Sequence, residues 1–171
     1  MQKILPLILI AMLAWNGFSQ SSHLLFSIER SVNKNKVYYE AKLSKDGTMD
    51  VKIPVHAYWI VWEKDSTGKT YEELDAIEKR LAYGFKLEPV VTTQRYIMKL
   101  VSCSKRPITI YLRQGKAVAE ITINGKAAIL DKIFISARET RFMPKVNYLE
   151  LFGKDVVTGA PCYEKVLPGH C

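Results

Sequence analysis

From His23 onward, apolar and polar residues alternate with a period of two in run after run, the pattern of strands that bury one face and wet the other. Leu24, Phe26 and Ile28 alternate with Leu25, Ser27 and Glu29, and Val37, Tyr39, Ala41 and Leu43 alternate with Tyr38, Glu40 and Lys42. Residues 53–62 differ: Ile53, Val55, Ala57, Trp59 and Val61 occupy one face and His56, Tyr58, Ile60 and Trp62 the other, which predicts a strand covered on both sides. Further strands are predicted over 95–103, 108–113, 117–123, 127–136 and 146–152. Turn residues separate them: Asp46-Gly47, Gln114-Gly115 and above all Asn124-Gly125, whose two residues accept the positive φ of a type I′ hairpin.

One window breaks the alternation. Thr70-Tyr71-Glu72-Glu73 matches a capping box, and Leu74, Ile77 and Leu81 then recur at helical spacing, with Asp75 and Lys79 four apart on the polar side and Gly84 as a stop. A short helix packed on a sheet follows. Lys105-Arg106-Pro107 reads as a basic corner between strands, and residues 154–171 as an ordered loop-like tail. The sum is a mainly β chain: an antiparallel up-and-down barrel or a two-sheet sandwich of about eight to nine strands with one short helix. Consecutive tight turns favour a meander, and closing a meander removes the edges that invite aggregation, so the barrel is the first expectation.

Residues 1–19 do not fit that fold. Lys3 precedes about a dozen apolar residues, short of the roughly 20 that span a bilayer, and Gly17-Phe18-Ser19 offers small residues at a cleavage site. This reads as a signal peptide cut after Ser19, leaving residues 20–171 as one β-rich domain in the periplasm or secreted, with no transmembrane segment in the mature chain. At 48% hydrophobic and 25% charged the chain has an ordinary globular composition. Its net charge of +8 permits an anionic partner, but the lysines are scattered and no basic run marks a nucleic-acid footprint, so no nucleic acid is expected.

Three cysteines in an exported chain imply one disulfide and one odd thiol. Cys162 with Cys171 is favoured because Pro168-Gly169 can turn the tail back, and Cys103 with Cys162 is the main rival. Cys103 has Lys105 and Arg106 nearby but ends an apolar run, which points to a structural cysteine.

No motif for metal, phosphate, dinucleotide or a nucleophile elbow is present: His23, His56 and His170 stand alone, and neither a metal nor another cofactor is expected. The best binding candidates are His56, Tyr58, Trp59 and Trp62, which combine apolar area with polar tips and either line a pocket or pack as core. A second group is Glu29-Arg30-Ser31 with Asn33 and Asn35 at a strand exit, and Arg106 is a third, able to hold a carboxylate or phosphate. These residues suggest a small apolar or anionic, or amphipathic, ligand laid on the aromatic strand with its acid head on Arg30 or Arg106; an envelope protein is an alternative partner. A hydrolase-type enzyme using Glu29, His56 or Glu150 as acid or base is the second reading, and a structural interaction module the third.

Ile28-Glu29-Arg30-Ser31-x-Asn33, Pro54-x-His56-x-Tyr58-Trp59-Ile60, Ala82-Tyr83-Gly84, Arg106-Pro107, Ile123-Asn124-Gly125-Lys126 and Tyr148-x-Glu150-Leu151-Phe152-Gly153 together resemble an uncharacterised bacterial family, the domain of unknown function numbered 4833. The resemblance runs in order from His23 to Pro168. It implies an exported single-domain protein and carries over no activity, cofactor or catalytic residue. Cys162 and Cys171 depart from the family pattern.

Overall fold

In a computed structural model, which describes residues 22–62, 68–91, 93–138, 140 and 144–171, the alternating runs become eleven strands, joined by one helix. In chain order these are β1 (Ser22–Arg30), β2 (Asn33–Lys42), β3 (Val55–Trp62), β4 (Lys69–Glu73), α1 (Ala76–Leu81), β5 (Phe85–Val90), β6 (Arg95–Leu100), β7 (Cys103–Arg113), β8 (Lys116–Ile123), β9 (Lys126–Arg138), β10 (Lys145–Asp155) and β11 (Pro161–Val166). The expected signal peptide at 1–19 lies outside the described residues.

The strands form one path, β4-β3-β2-β1-β9-β8-β7-β6-β5, with β10 and β11 branching from β9. Strand β9, 13 residues long, makes the branch possible. Its first residues pair with β8, residues 132–135 pair with β1 on the same edge, and β10 runs along the other edge. The β1–β9 pairing is parallel, so the sheet is mixed and curls into a half-barrel. This corrects the purely antiparallel up-and-down barrel, and among the described residues all the strands belong to one connected sheet and not to the two of a sandwich. The meander holds within each half, but the first strand joins a late one instead of the last, and β4 and β5 remain as open ends.

The core lies on the concave face. Val37, Tyr39 and Ala41 of β2 point inward as their alternation predicts. In β1 a bulge between Leu24 and Phe26 interrupts the period, so Leu25 and Phe26 are both buried and Leu24 is exposed. Phe26 stacks on Tyr39 at 4.4 Å between centroids, and Phe85 of β5 meets Tyr39 at 6.1 Å, which brings the two arms of the curl together. Tyr39 Oη donates to the Tyr83 carbonyl at 2.7 Å.

Further expectations need correction. Strand β3 is not covered on both sides: Val55, Ala57 and Trp59 are buried, while His56, Tyr58 and Ile60 are half-buried on the convex face and Trp62 is exposed. Aromatic rings there shield one another without a second layer. Thr70 to Glu73 belong to β4, not to a helix; the helix has only six residues and is capped by Asp75, whose carboxylate accepts from Glu78 N while Glu78 Oε2 accepts from Asp75 N. Its stripe is not buried, with Ile77 62% and Leu81 50% exposed, and only Leu74 before it enters the core. The helix ends at Ala82, and Gly84 serves close packing: a side chain there would collide with the Lys79 carbonyl. Finally, Lys105-Arg106-Pro107 lies within β7, and the tail holds β11, paired antiparallel with β10.

That last strand also decides the disulfide. Cys103 bonds to Cys171, their Cα atoms 4.2 Å apart, and Cys162 is free, contrary to the favoured Cys162–Cys171 pairing and to its rival. Cys162 sits opposite Gly153 at the start of β11, and each extended residue after it carries the chain about 3.3 Å farther away. The turn at Pro168-Gly169 then delivers the terminus to β7, where Lys105 N donates to the Cys171 carbonyl at 2.8 Å and Lys105 Nζ to the Gly169 carbonyl at 3.0 Å.

Candidate functional site

The β1–β2 turn is held from several sides. Asn33 Oδ1 accepts from Asn35 N at 3.1 Å and from Arg30 Nη2 at 3.2 Å, and Asn35 Oδ1 accepts from Trp62 N at 3.1 Å, linking the turn to the end of β3. Ser31 N donates to the Ile135 carbonyl, and Ser31 Oγ bridges to Ala137, linking it to β9. Around this braced turn Glu29, Arg30, Asn33, Lys34, Lys36, Trp62 and Phe134 enclose a cleft of about 360 Å³.

Its charges are unevenly compensated. Glu29 faces outward because its neighbour Ile28 faces the core, and it accepts from Lys36 Nζ at 2.7 Å and Lys132 Nζ at 3.2 Å. Burial alone would raise the Glu29 carboxyl, but the two lysines outweigh it and hold the group below the usual carboxylate range. Arg30 has no carboxylate partner among the described residues. Its guanidinium lies 4.6 Å from the Trp59 ring centroid and 5.8 Å from that of Tyr83, and its buried Nε has no hydrogen-bond partner. Trp59 in turn donates from Nε1 to Glu78 Oε1 at 2.9 Å. Lys69 Nζ stands 4.6 Å over the Trp62 ring.

A second group occupies the convex face of β2 to β4. His56 Nε2 lies 3.0 and 3.1 Å from the two Glu73 oxygens, Tyr71 Oη also donates to Glu73, and Tyr58 Oη donates to Glu40 at 2.5 Å. The hydrogen bond from Tyr71, followed by that from His56, keeps Glu73 ionised against burial, and its carboxyl is lowered. Burial and the Glu73 bond push the Tyr71 phenol up to about 12, and burial with the Glu40 bond raises Tyr58 as well. His56 also borders a cleft of about 290 Å³ with Val55, Leu74, Lys79 and Phe85.

The third group lies in the other half of the sheet. Arg106 makes a bidentate pair with Glu164 at 2.9 and 2.6 Å, and Glu164 also accepts from Asn124 N at 2.6 Å. Hydrogen bonding to Arg106 lowers the Glu164 carboxyl despite burial and raises the guanidinium. Arg106 borders a cleft of about 230 Å³, but its fork is occupied.

The predicted residues therefore separate. Arg30 and Trp62 share the first cleft, joining the aromatic strand to the polar strand exit. Trp59 supports Arg30 from the core, 5% exposed against 37% for Trp62. His56 and Tyr58 belong to the tyrosine–carboxylate group, and Arg106 to a structural ion pair. The acid/base candidates do not share a cleft: Glu29 lines the first, His56 the second, and Glu150 accepts from Tyr163 Oη at 2.8 Å. Among the described residues no group of three or more His, Cys, Asp or Glu could hold a metal ion, and no helix is long and apolar enough to cross a membrane. Sequence reasoning missed Lys34, Lys36 and Phe134. Lys36 was readable as the outward neighbour of buried Val37; Phe134 was not, because only the parallel β1–β9 register brings it opposite Glu29.

Residues 26–165 match the family model described as Domain of unknown function (DUF4833). No curated protein and no solved structure matches the chain.

Proposed function

We propose that this chain, which belongs to the DUF4833 family, is an exported binding module that takes a small amphipathic anion in the cleft at the β1–β2 turn. The observation that carries this reading is the excess of cations, Arg30, Lys34 and Lys36 against the single carboxylate of Glu29, meeting two rings, Trp62 and Phe134, around one space of about 360 Å³. That volume falls at the small end of ligand pockets. The net charge of +8 favours encounter with anions, and the Cys103–Cys171 bridge suits an oxidising compartment, which supports export.

Binding follows from the two kinds of lining. A ligand ring that covers about 100 Å² of apolar surface on Trp62 and Phe134 gains roughly 2.5 kcal/mol at about 25 cal/mol per Å². Its acid head receives charge-assisted hydrogen bonds from Arg30, whose geometry is already fixed by the Trp59 face and by Asn33. Lys34 adds attraction without a fixed direction, whereas Lys36 is held against Glu29.

The test uses 1-anilinonaphthalene-8-sulfonate, an aromatic anion, titrated by fluorescence against its uncharged analogue N-phenyl-1-naphthylamine. Saturable binding of the anion should weaken by about tenfold in Trp62→Ala while the melting temperature stays within a few degrees of the parent, because Trp62 is exposed. Unchanged dye affinity in Trp62→Ala, or equal affinity for the two dyes, overturns the reading.

A further inference from the structure

Strand β4 is one end of the sheet, bonded to β3 on one side, and all five of its residues are exposed. The direction of its backbone groups follows from β3. Trp62 N is turned toward β2, where it donates to Asn35 Oδ1. By alternation Val61 and Trp59 present their groups to β4, to Thr70 and Glu72. The N–H and C=O groups of Lys69, Tyr71 and Glu73 therefore point away from the sheet.

Other strands at the borders of the sheet are blunted. β5 contains Pro89 and β11 begins with Pro161, each lacking an N–H donor, whereas β4 has no proline. Charges normally protect such an edge as well. Here their order makes the edge complementary to itself: in an antiparallel copy centred on Tyr71, Lys69 stands opposite the partner's Glu73, and Glu73 opposite the partner's Lys69. The three residues with outward backbone groups are the three that this register pairs, which gives about six interstrand N–H···O=C bonds. A parallel copy in register would set lysine against lysine and glutamate against glutamate.

The side chains on the convex face agree with this register. Tyr38 stacks on Tyr58 at 6.0 Å and Tyr58 meets Tyr71 at 4.6 Å, so a row of rings runs across the sheet to its edge. Tyr71 opposite the partner's Tyr71 would carry the row into the next sheet. We propose that β4 pairs with β4 of a second copy of this chain about a two-fold axis through Tyr71, a weak isologous dimer that makes one sheet of two.

Sedimentation equilibrium of the purified protein from about 1 µM to about 1 mM should show a reversible monomer–dimer equilibrium, as suits a small interface. Lys69→Glu and Glu73→Lys each place like charges opposite each other twice across the axis and should weaken the dimer by about tenfold. Combining them restores the pairing with signs exchanged and should recover dimerisation to within about threefold of the parent; because the double variant contains both changes, recovery cannot come from a folding defect. Tyr71→Pro removes an outward N–H and should abolish the dimer. A monomer throughout the range, a dimer indifferent to both single reversals, or a double variant no tighter than the singles overturns the proposal.

Discussion

The two arms of the half-barrel fill the same core with different chemistry. The arm of β1 to β3 sets Phe26, Tyr39 and Trp59 among aliphatic residues such as Leu25, Ile28 and Val37, whereas the buried side chains of β6 to β8, among them Met98, Ile108, Ile110 and Ile123, include no ring. Tyr39 and Trp59 bring polar atoms inside, and each is satisfied: Tyr39 Oη donates to the Tyr83 carbonyl and Trp59 Nε1 donates to Glu78. Those bonds reach the segment around α1 and fix its position on the sheet. The aliphatic arm has no directional bonds of that kind from its core side chains and relies on fit, on tight turns at Gln114-Gly115 and Asn124-Gly125, and on the Cys103–Cys171 bridge. The cleft at the β1–β2 turn accordingly opens on the aromatic arm, which positions polar groups, while the other arm supplies a scaffold.

Substitutions can break this contrast. The largest effect is expected in the aliphatic arm, where Ile110→Ala leaves a cavity and should cost about 2–5 kcal/mol in denaturant unfolding. A cost below about 1 kcal/mol would mean that this arm collapses around the gap and is not close-packed. A smaller loss, about 1–2 kcal/mol, is expected for Tyr39→Phe, which keeps the ring and leaves the Tyr83 carbonyl without its donor. The second readout is local: amide exchange should rise first at residues 76–84, whereas a uniform rise would show that the bond does not position that segment.

The smallest effect concerns pH. Arg106 holds the Glu164 carboxyl below the usual carboxylate range in the folded state, so its contribution is present above that range and is lost as pH falls through the folded value. Stability should therefore decline below about pH 4.5, and Glu164→Gln should flatten that decline by no more than about 1 kcal/mol, because the pair is partly solvated. Glu29 and Glu73 on the aromatic arm are lowered too, so part of the decline should survive in the variant.

Much of the strand pattern was legible, and the reasons are local. Val37, Tyr39 and Ala41 alternate cleanly, and Asn124-Gly125, with φ of 49° and 78°, makes the turn its residues demand. The helix was misplaced because Thr70 to Glu73 satisfies a capping pattern and a strand edge equally well; pairing with β3 decided between them. The bulge at Leu25, the parallel β1–β9 register and the Cys103–Cys171 bridge depend on distant partners, which alternation and spacing do not encode. The site was half legible for the same reason. Arg30 and Trp62 advertised themselves by type, but that they share a cleft while Trp59 is core follows from the phase of β3 against the curl.

The parallel joint between β1 and β9 also sets an order of events during synthesis. Ser31 Oγ bonds the carbonyl of Ala137, 106 residues further on. A chain emerging from its N-terminus can fold the β1–β4 meander early, but β1 keeps an open edge, with Phe26 and Ile28 beside it, until β9 has been made. Such a distant closure slows folding and leaves a long interval in which the nascent chain needs protection from its neighbours. A chain ending before residue 126 would thus expose the strand that, in the finished molecule, lies between β2 and β9 in the interior of the sheet.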